Sequence, residues 1–179
     1  MLIICSNVIK GKQEYMMKKL TIISVLTALT FNAWQVQAAT VEVVFTEPKS
    51  FSDIRSGDEN SHYFKENVFY NLEKIITKLA KDLPEEQTLK IEFTDIDLAG
   101  DIDMFNANLI RVVKSMYPPR LAFNYQLIAK DKSVIKQGEE NIRDSAFMVH
   151  GNLRYKNEAL GYEKQLLEKW FKATFIKPE

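Results

Sequence analysis

Thr88-Leu89-Lys90-Ile91-Glu92-Phe93-Thr94-Asp95-Ile96-Asp97-Leu98-Ala99-Gly100 is the stretch on which the fold turns. Leu89, Ile91 and Phe93 alternate with Lys90 and Glu92, the period-two pattern of a strand buried on one face. At Ile96 and Leu98 the apolar parity flips, which predicts a bulge or the end of the strand. A strand with one wet face needs a cover on the other face only.

Upstream lies the first cover. From about Asn60 to Asp82 the apolar residues Phe64, Val68, Leu72, Ile75, Ile76 and Leu79 recur at steps of three and four, one helical stripe. Lys65, Glu66, Glu73, Lys74, Lys78 and Lys81 fall mostly on the opposite, solvated face, and Pro84 stops the helix. Before it, Val41 to Phe45 reads as a β-branched strand ended by Glu47-Pro48. Ser52, Asp53, Ser56, Gly57, Asp58 and Asn60 supply turn chemistry between the two.

Downstream, Leu109 to Val113 is a short β-branched run and Tyr117-Pro118-Pro119 a rigid turn. Arg120 to Ala129 places Leu121, Phe123, Tyr125 and Leu127 on one face. Lys130-Asp131-Lys132 turns the chain, and Ser133 to Ile142 returns as a strand. From Asn157, read as an N-cap candidate, a final helix presents Leu160, Leu166, Leu167, Trp170, Phe171 and Phe175. Aromatic residues at that spacing read as core. The order β-α-β-β-β-β-α predicts an α+β fold: a single mixed sheet of about five strands with two helices packed on one face.

Composition agrees. Of 179 residues, 46% are hydrophobic and 27% charged, which excludes a collagen-like, multi-span membrane or wholly disordered chain. One Cys excludes a disulfide scaffold. Balanced charge, 24 basic against 24 acidic residues, supplies no general attraction to nucleic acid.

The beginning of the chain reads as an address. Met16-Met17-Lys18-Lys19 precedes an uncharged apolar run, Leu20 to Ala33, and then Val36-Gln37-Ala38-Ala39. A basic start, a short apolar run and a small-residue site are the parts of a secretory signal peptide. The expectation is a signal over 16–38 with cleavage between Ala38 and Ala39, and no membrane anchor afterwards. The run ends short of the roughly 20 apolar residues that spanning requires. Residues 1–15 read as an upstream start extension, and 39–179 as one α+β domain. Removal of 1–38 takes away Cys5 and with it every thiol.

Chemistry is sparse. Asp95, Asp97, Asp101 and Asp103 could ligate a hard cation. A calcium loop begun at Asp95 has Asp97 and Gly100 in place but fails at Ala99 and at Asn106, where a bidentate Glu is needed. Hydrated aspartates, or aspartates paired to Arg111 or Arg120, are the plainer reading. Asp95 and Asp97 share one strand face and could serve a small carboxylate or metal-assisted hydrolase. His62 and His150 fit no metal pattern, and a Ser-His-Asp site assembled from His62 with Ser52 or Ser56 lacks a nucleophile elbow. No catalytic residue, cofactor or metal ligand is assigned. Arg111, Arg120, Arg143 and Arg154 read as local ion-pair partners, with Arg120 held by the prolines before it.

Taken together, the exported chain, Val43-Val44-Phe45, Phe51-Ser52-Asp53-Ile54, Thr94 to Gly100, Pro118-Pro119-Arg120 and Trp170-Phe171 resemble the bacterial domain-of-unknown-function family 3016. The resemblance covers roughly residues 41–176. Its motif residues fall on Asp95, Asp97, Gly100, Pro118, Pro119 and Arg120, with Asp101 where the family would have Glu. It implies a small exported protein of Gram-negative bacteria, in the periplasm or outer envelope, and no activity. The reading that follows is a non-enzymatic protein that binds a ligand or an envelope partner, or maintains the envelope. Physically, the motif predicts an Asp–Arg pair at one end of the sheet, Asp95 or Asp97 facing Arg120.

Overall fold

The computed structural model describes residues 39–57, 60–105, 109–149 and 154–176. The signal read over 16–38, the extension 1–15, Cys5, Ala38, Asn106 and His150 lie outside the described residues. In chain order the elements are β1 (Thr40–Phe45), α1 (Ser61–Leu79) with a 3₁₀ turn Ala80–Asp82, and β2 (Thr88–Asp97). There follow β3 (Asp101–Ile102), β4 (Arg111–Val112), β5 (Arg120–Ile128) and β6 (Val134–Arg143). The chain closes with α2 (Gly161–Phe171) and a π-helical turn, Lys172–Ile176.

The fold is α+β, as the pattern predicts. A mixed four-stranded sheet runs in the order β1-β2-β5-β6, and β3 and β4 form a separate two-stranded ribbon. β1 is parallel to β2, so the chain must cross over between them, and α1 is that crossover. β2, β5 and β6 pair antiparallel. The sheet has four strands rather than five because the Leu109–Val113 run pairs with Asp101–Ile102 instead of joining it.

The parity flip is a bulge. The β2–β5 register slips between Phe93 and Asp95, leaving Thr94 as the extra residue. Before the slip Leu89, Ile91 and Phe93 are buried; after it Ile96 and Leu98 are. One inserted residue therefore keeps every apolar side chain of β2 inward and turns Asp95 and Asp97 outward, beside Lys90 and Glu92. On β5, Leu121, Phe123, Tyr125 and Leu127 are buried in step. These strands share one core with Val68, Leu72, Ile75, Ile76 and Leu79 of α1 and Leu166, Leu167, Trp170 and Phe171 of α2. The aromatic pair near the end is core, as its spacing predicts. Trp170 meets Phe123 and Tyr125 edge-on, at 4.7 and 5.3 Å between centroids.

Asn60 caps α1: its side-chain oxygen accepts from the amides of His62 (3.0 Å) and Tyr63 (3.3 Å). At the second helix the expectation needs correction. Asn157 is not the N-cap; α2 begins at Gly161, after Leu160 in the left-handed region (φ 55°). The segment before it turns back on itself, with the Glu158 amide donating to the Tyr155 carbonyl at 3.0 Å, and so delays the helix by one turn.

Candidate functional site

After β1 the chain leaves the sheet at Glu47-Pro48 and rejoins the same edge further along. Asp53 bridges Asp97 in parallel: the Asp53 amide donates to the Ile96 carbonyl (3.0 Å), and the Leu98 amide to the Asp53 carbonyl (3.1 Å). Successive residues of an extended chain face opposite ways. Ser52 therefore reaches the outer sheet face and Asp53 the interior, and each meets an arginine.

On the outer face, Asp95 accepts from Ser52 twice, from its amide to Oδ1 and its hydroxyl to Oδ2, both at 2.7 Å. Arg120 ion-pairs Asp95 and donates to Ser52 Oγ at 3.0 Å. Partial burial would raise the Asp95 pKa, but the Ser52 hydrogen bonds and the Arg120 charge more than offset it and hold the carboxyl below its ordinary value. Asp97, directly opposite Arg120 in register, has Arg120 Nε 3.9 Å away. Its pKa is raised, by burial first and then by the Asp53 and Asp95 carboxylates, against the pull of Arg120.

In the interior, Arg111 grips Asp53 with both terminal nitrogens, at 3.0 and 3.1 Å. Arg55 adds a contact from Nε at 3.0 Å and reaches on to Asp101 at 2.6 Å. Burial pushes the Asp53 pKa up, yet these donors leave it below the ordinary value. Arg111 also donates to the carbonyls of Gly100 (2.8 Å) and Arg55 (3.1 Å). Two loops and the β3–β4 ribbon are thus tied to one guanidinium. Behind them Glu163 of α2, fully inside, accepts the Ala99 amide at 2.7 Å, and burial raises its pKa.

Gly100 makes this turn possible. Its φ is +84°, and a Cβ there would lie 2.5 Å from the Val112 carbonyl oxygen. Its amide donates to the Tyr117 carbonyl at 3.0 Å, just before the buried Pro118 and Pro119. The motif residues Asp95, Asp97, Gly100, Pro118, Pro119 and Arg120 therefore gather at the end of β2, with Asp95 rather than Asp97 as the close partner of Arg120.

Other candidates are dispersed. His62 is exposed beside Glu66 at 3.7 Å, while the Ser52 hydroxyl is engaged with Asp95 and Arg120. Arg154 pairs with Glu168, whereas Arg143 makes no ion pair among the described residues. No group of three His, Cys, Asp or Glu among the described residues is placed to hold a metal. The outer sheet face also carries a hollow of about 580 Å³ walled by Glu42, Val44, Lys90, Glu92, Asn124, Gln126 and Gln137; Asp95, Asp97 and Arg120 are not in its walls.

Pattern reading missed Asp53 as the anchor of Arg111, and the buried charges of α2, Glu163, Lys164 and Glu168. A signal for the latter exists. Leu160, Glu163, Lys164, Leu167 and Phe171 follow the three-four spacing of a buried stripe, so two charges occupy core positions.

A double-mutant cycle on Asp95→Ala and Arg120→Ala, followed by urea denaturation, should give a coupling of about 1 kcal/mol. Additive losses would show that the pair does not act as a unit.

The chain matches the family described as "Protein of unknown function (DUF3016)" over residues 39–173. No curated protein and no solved structure matches it.

Proposed function

The chain belongs to the DUF3016 family, and from that premise we propose that it is an exported, periplasmic protein of a Gram-negative envelope that works by binding a ligand or an envelope partner, not by catalysis. One observation carries the non-enzymatic part. Asp53 and Asp95 each accept several donors, from Arg111 and Arg55 and from Ser52 and Arg120. Carboxylates held this way stay ionised and are poor proton acceptors; they act as struts that set the loops at the end of β2. The signal pattern over 16–38 supports export.

The test is intact-mass analysis of the protein from fractionated cells. A periplasmic species beginning at Ala39 is expected; a cytosolic species still carrying residues 16–38 would remove the export reading.

A second reading has one observation in its favour. The Asp95 pKa is lowered and that of Asp97 raised, the divergence an acid–base pair of carboxylates uses. Thermal melting with calcium, magnesium or EDTA separates the metal-assisted form of that reading from binding. A metal-dependent rise in Tm, abolished by Asp97→Asn, would favour the hydrolase; an unchanged Tm at millimolar metal retires its metal-assisted form.

A further inference from the structure

Between α1 and the segment leading into α2 lies a hollow of about 360 Å³, lined by Asn71, Lys74, Lys78, Tyr155, Glu158 and Lys164 among others. Lys164 is the unusual wall. Its side chain is 5% exposed, on a helix position that the apolar stripe would give to a hydrophobic residue. A buried ammonium is costly unless something negative faces it. Its Nζ donates to Asn71 Oδ1 (3.0 Å) and to Glu158 Oε2 (2.9 Å), so two of its three N–H groups have acceptors among the described residues, and in the arrangement proposed below the third is for a ligand to take.

Lys74 and Lys78 stand on the same side of α1, four residues apart, and the Lys78 ammonium lies 5.7 Å from the centre of the Tyr155 ring. All three lysines act on Glu158: its carboxyl is pulled below the ordinary value by the Lys164 hydrogen bond first, and also by the charges of Lys164, Lys78 and Lys74. In the walls of the hollow, three ammonium groups, Lys74, Lys78 and Lys164, face one half-exposed carboxylate, Glu158, an excess of two positive charges among its lining residues.

We propose that this hollow is a binding site for a phosphate-type dianion, held by Lys164, Lys74 and Lys78 with Asn71, and that Glu158 occupies the site as an internal anion until the ligand displaces it. A phosphate monoester carries a charge near −2 at neutral pH and matches the excess. Lys164 is the fixed contact because Asn71 and the helix packing hold it. Lys74 and Lys78 are solvent-facing arms that can close on the outer oxygens. Glu158 sits in a turn, between the Tyr155–Glu158 hydrogen bond and the start of α2, where it can swing out without disturbing either helix. The assignment rests on the binding reading above and supplies a ligand class for it.

The experiment uses the purified chain and inorganic phosphate as probe, titrated at constant ionic strength and followed by NMR of the backbone amides and lysine side chains. Saturable shifts confined to Asn71, Lys74, Lys78, Tyr155, Glu158 and Lys164 are expected. Glu158→Gln keeps an acceptor for Lys164 but removes the competing charge, and should tighten phosphate binding about fivefold. The surface pair Lys74→Gln and Lys78→Gln should weaken binding by at least about fivefold with the melting temperature unchanged. Glycerol phosphate and vesicles containing phosphatidic acid then tell a soluble phosphate monoester from a lipid headgroup, and binding of either supports the site. Non-saturating or scattered shifts, or a Glu158→Gln chain that binds phosphate no better than the parent, would overturn it. Failure here leaves the export result untouched, so the two proposals fall separately.

Discussion

An Arg111→Met chain is expected to lose about 3 kcal/mol of unfolding free energy at pH 7, the lower part of the range for breaking a buried ion pair. Arg111 and Asp53 have side chains only 16% and 10% exposed. Removing the guanidinium leaves the Asp53 carboxylate inside with Arg55 as its remaining partner, and it orphans the Gly100 carbonyl. The loss should depend on pH. In the parent, burial pushes the Asp53 pKa up but the arginine hydrogen bonds and the Arg111 charge pull it lower still. A carboxyl with a lower pKa folded than unfolded stabilises the fold above the unfolded value, near 3.9, and that contribution vanishes as pH falls through the folded value. In the variant, burial loses its main opponent. With only the Arg55 hydrogen bonds left to oppose burial, ionised Asp53 contributes less stability than in the parent as pH rises through its ionisation. Urea denaturation at pH 7 and pH 4 should therefore show the larger loss at pH 7. An equal loss at both would mean that Arg111 acts through packing alone, and Asp53→Asn with Arg111→Met should lose less than the two single changes summed.

The other large effect is expected at Phe123→Ala, about 3–5 kcal/mol. Phe123 is fully buried at the centre of β5. It lies opposite Phe93 in register, with ring centroids 5.5 Å apart, and takes the Trp170 ring edge-on at 4.7 Å. With Tyr125 it forms the contact through which the middle of the sheet grips α2. Truncation opens a cavity that the stiff neighbours on β2 cannot fill by sliding, so both the transfer and the cavity cost apply. Phe123→Leu keeps most of the volume and should cost less than half as much. A midpoint shift in urea with an unchanged m-value is the expected signature. A loss below about 1 kcal/mol for the alanine variant would mean that α2 packs elsewhere on the sheet.

Local rules reach a long way into this chain. The α1 stripe, its Asn60 cap, the strands Thr40–Phe45, Arg120–Ile128 and Val134–Arg143, and the slip near Thr94 are each governed by contacts within a few residues or by one buried face. Their periodicity is therefore written in consecutive side chains. The Asp95–Arg120 contact was partly legible too. Arg120 follows two prolines that limit where it can sit, and Asp95 lies just past a parity flip that turns it outward. The start of α2 was not. Asn157 has the right chemistry for a cap, but the Tyr155–Glu158 turn claims that segment, and Leu160 enters the left-handed region instead.

By itself, the order of residues determined an α+β chain with alternating strands, two amphipathic helices, and acidic and basic motif residues at the end of the strand from Thr88 and the start of the strand from Arg120. Those are properties of short windows, where burial on one side imposes a period. Only the tertiary structure decided which charges meet. Asp53 and Arg111 are 58 positions apart and Asn71 and Lys164 are 93 apart. Each pair is made by the return of a segment to a sheet edge or the laying of one helix against another. Electrostatic partners are chosen by distance in space after the apolar core has closed, and a window of neighbouring residues carries no record of that distance.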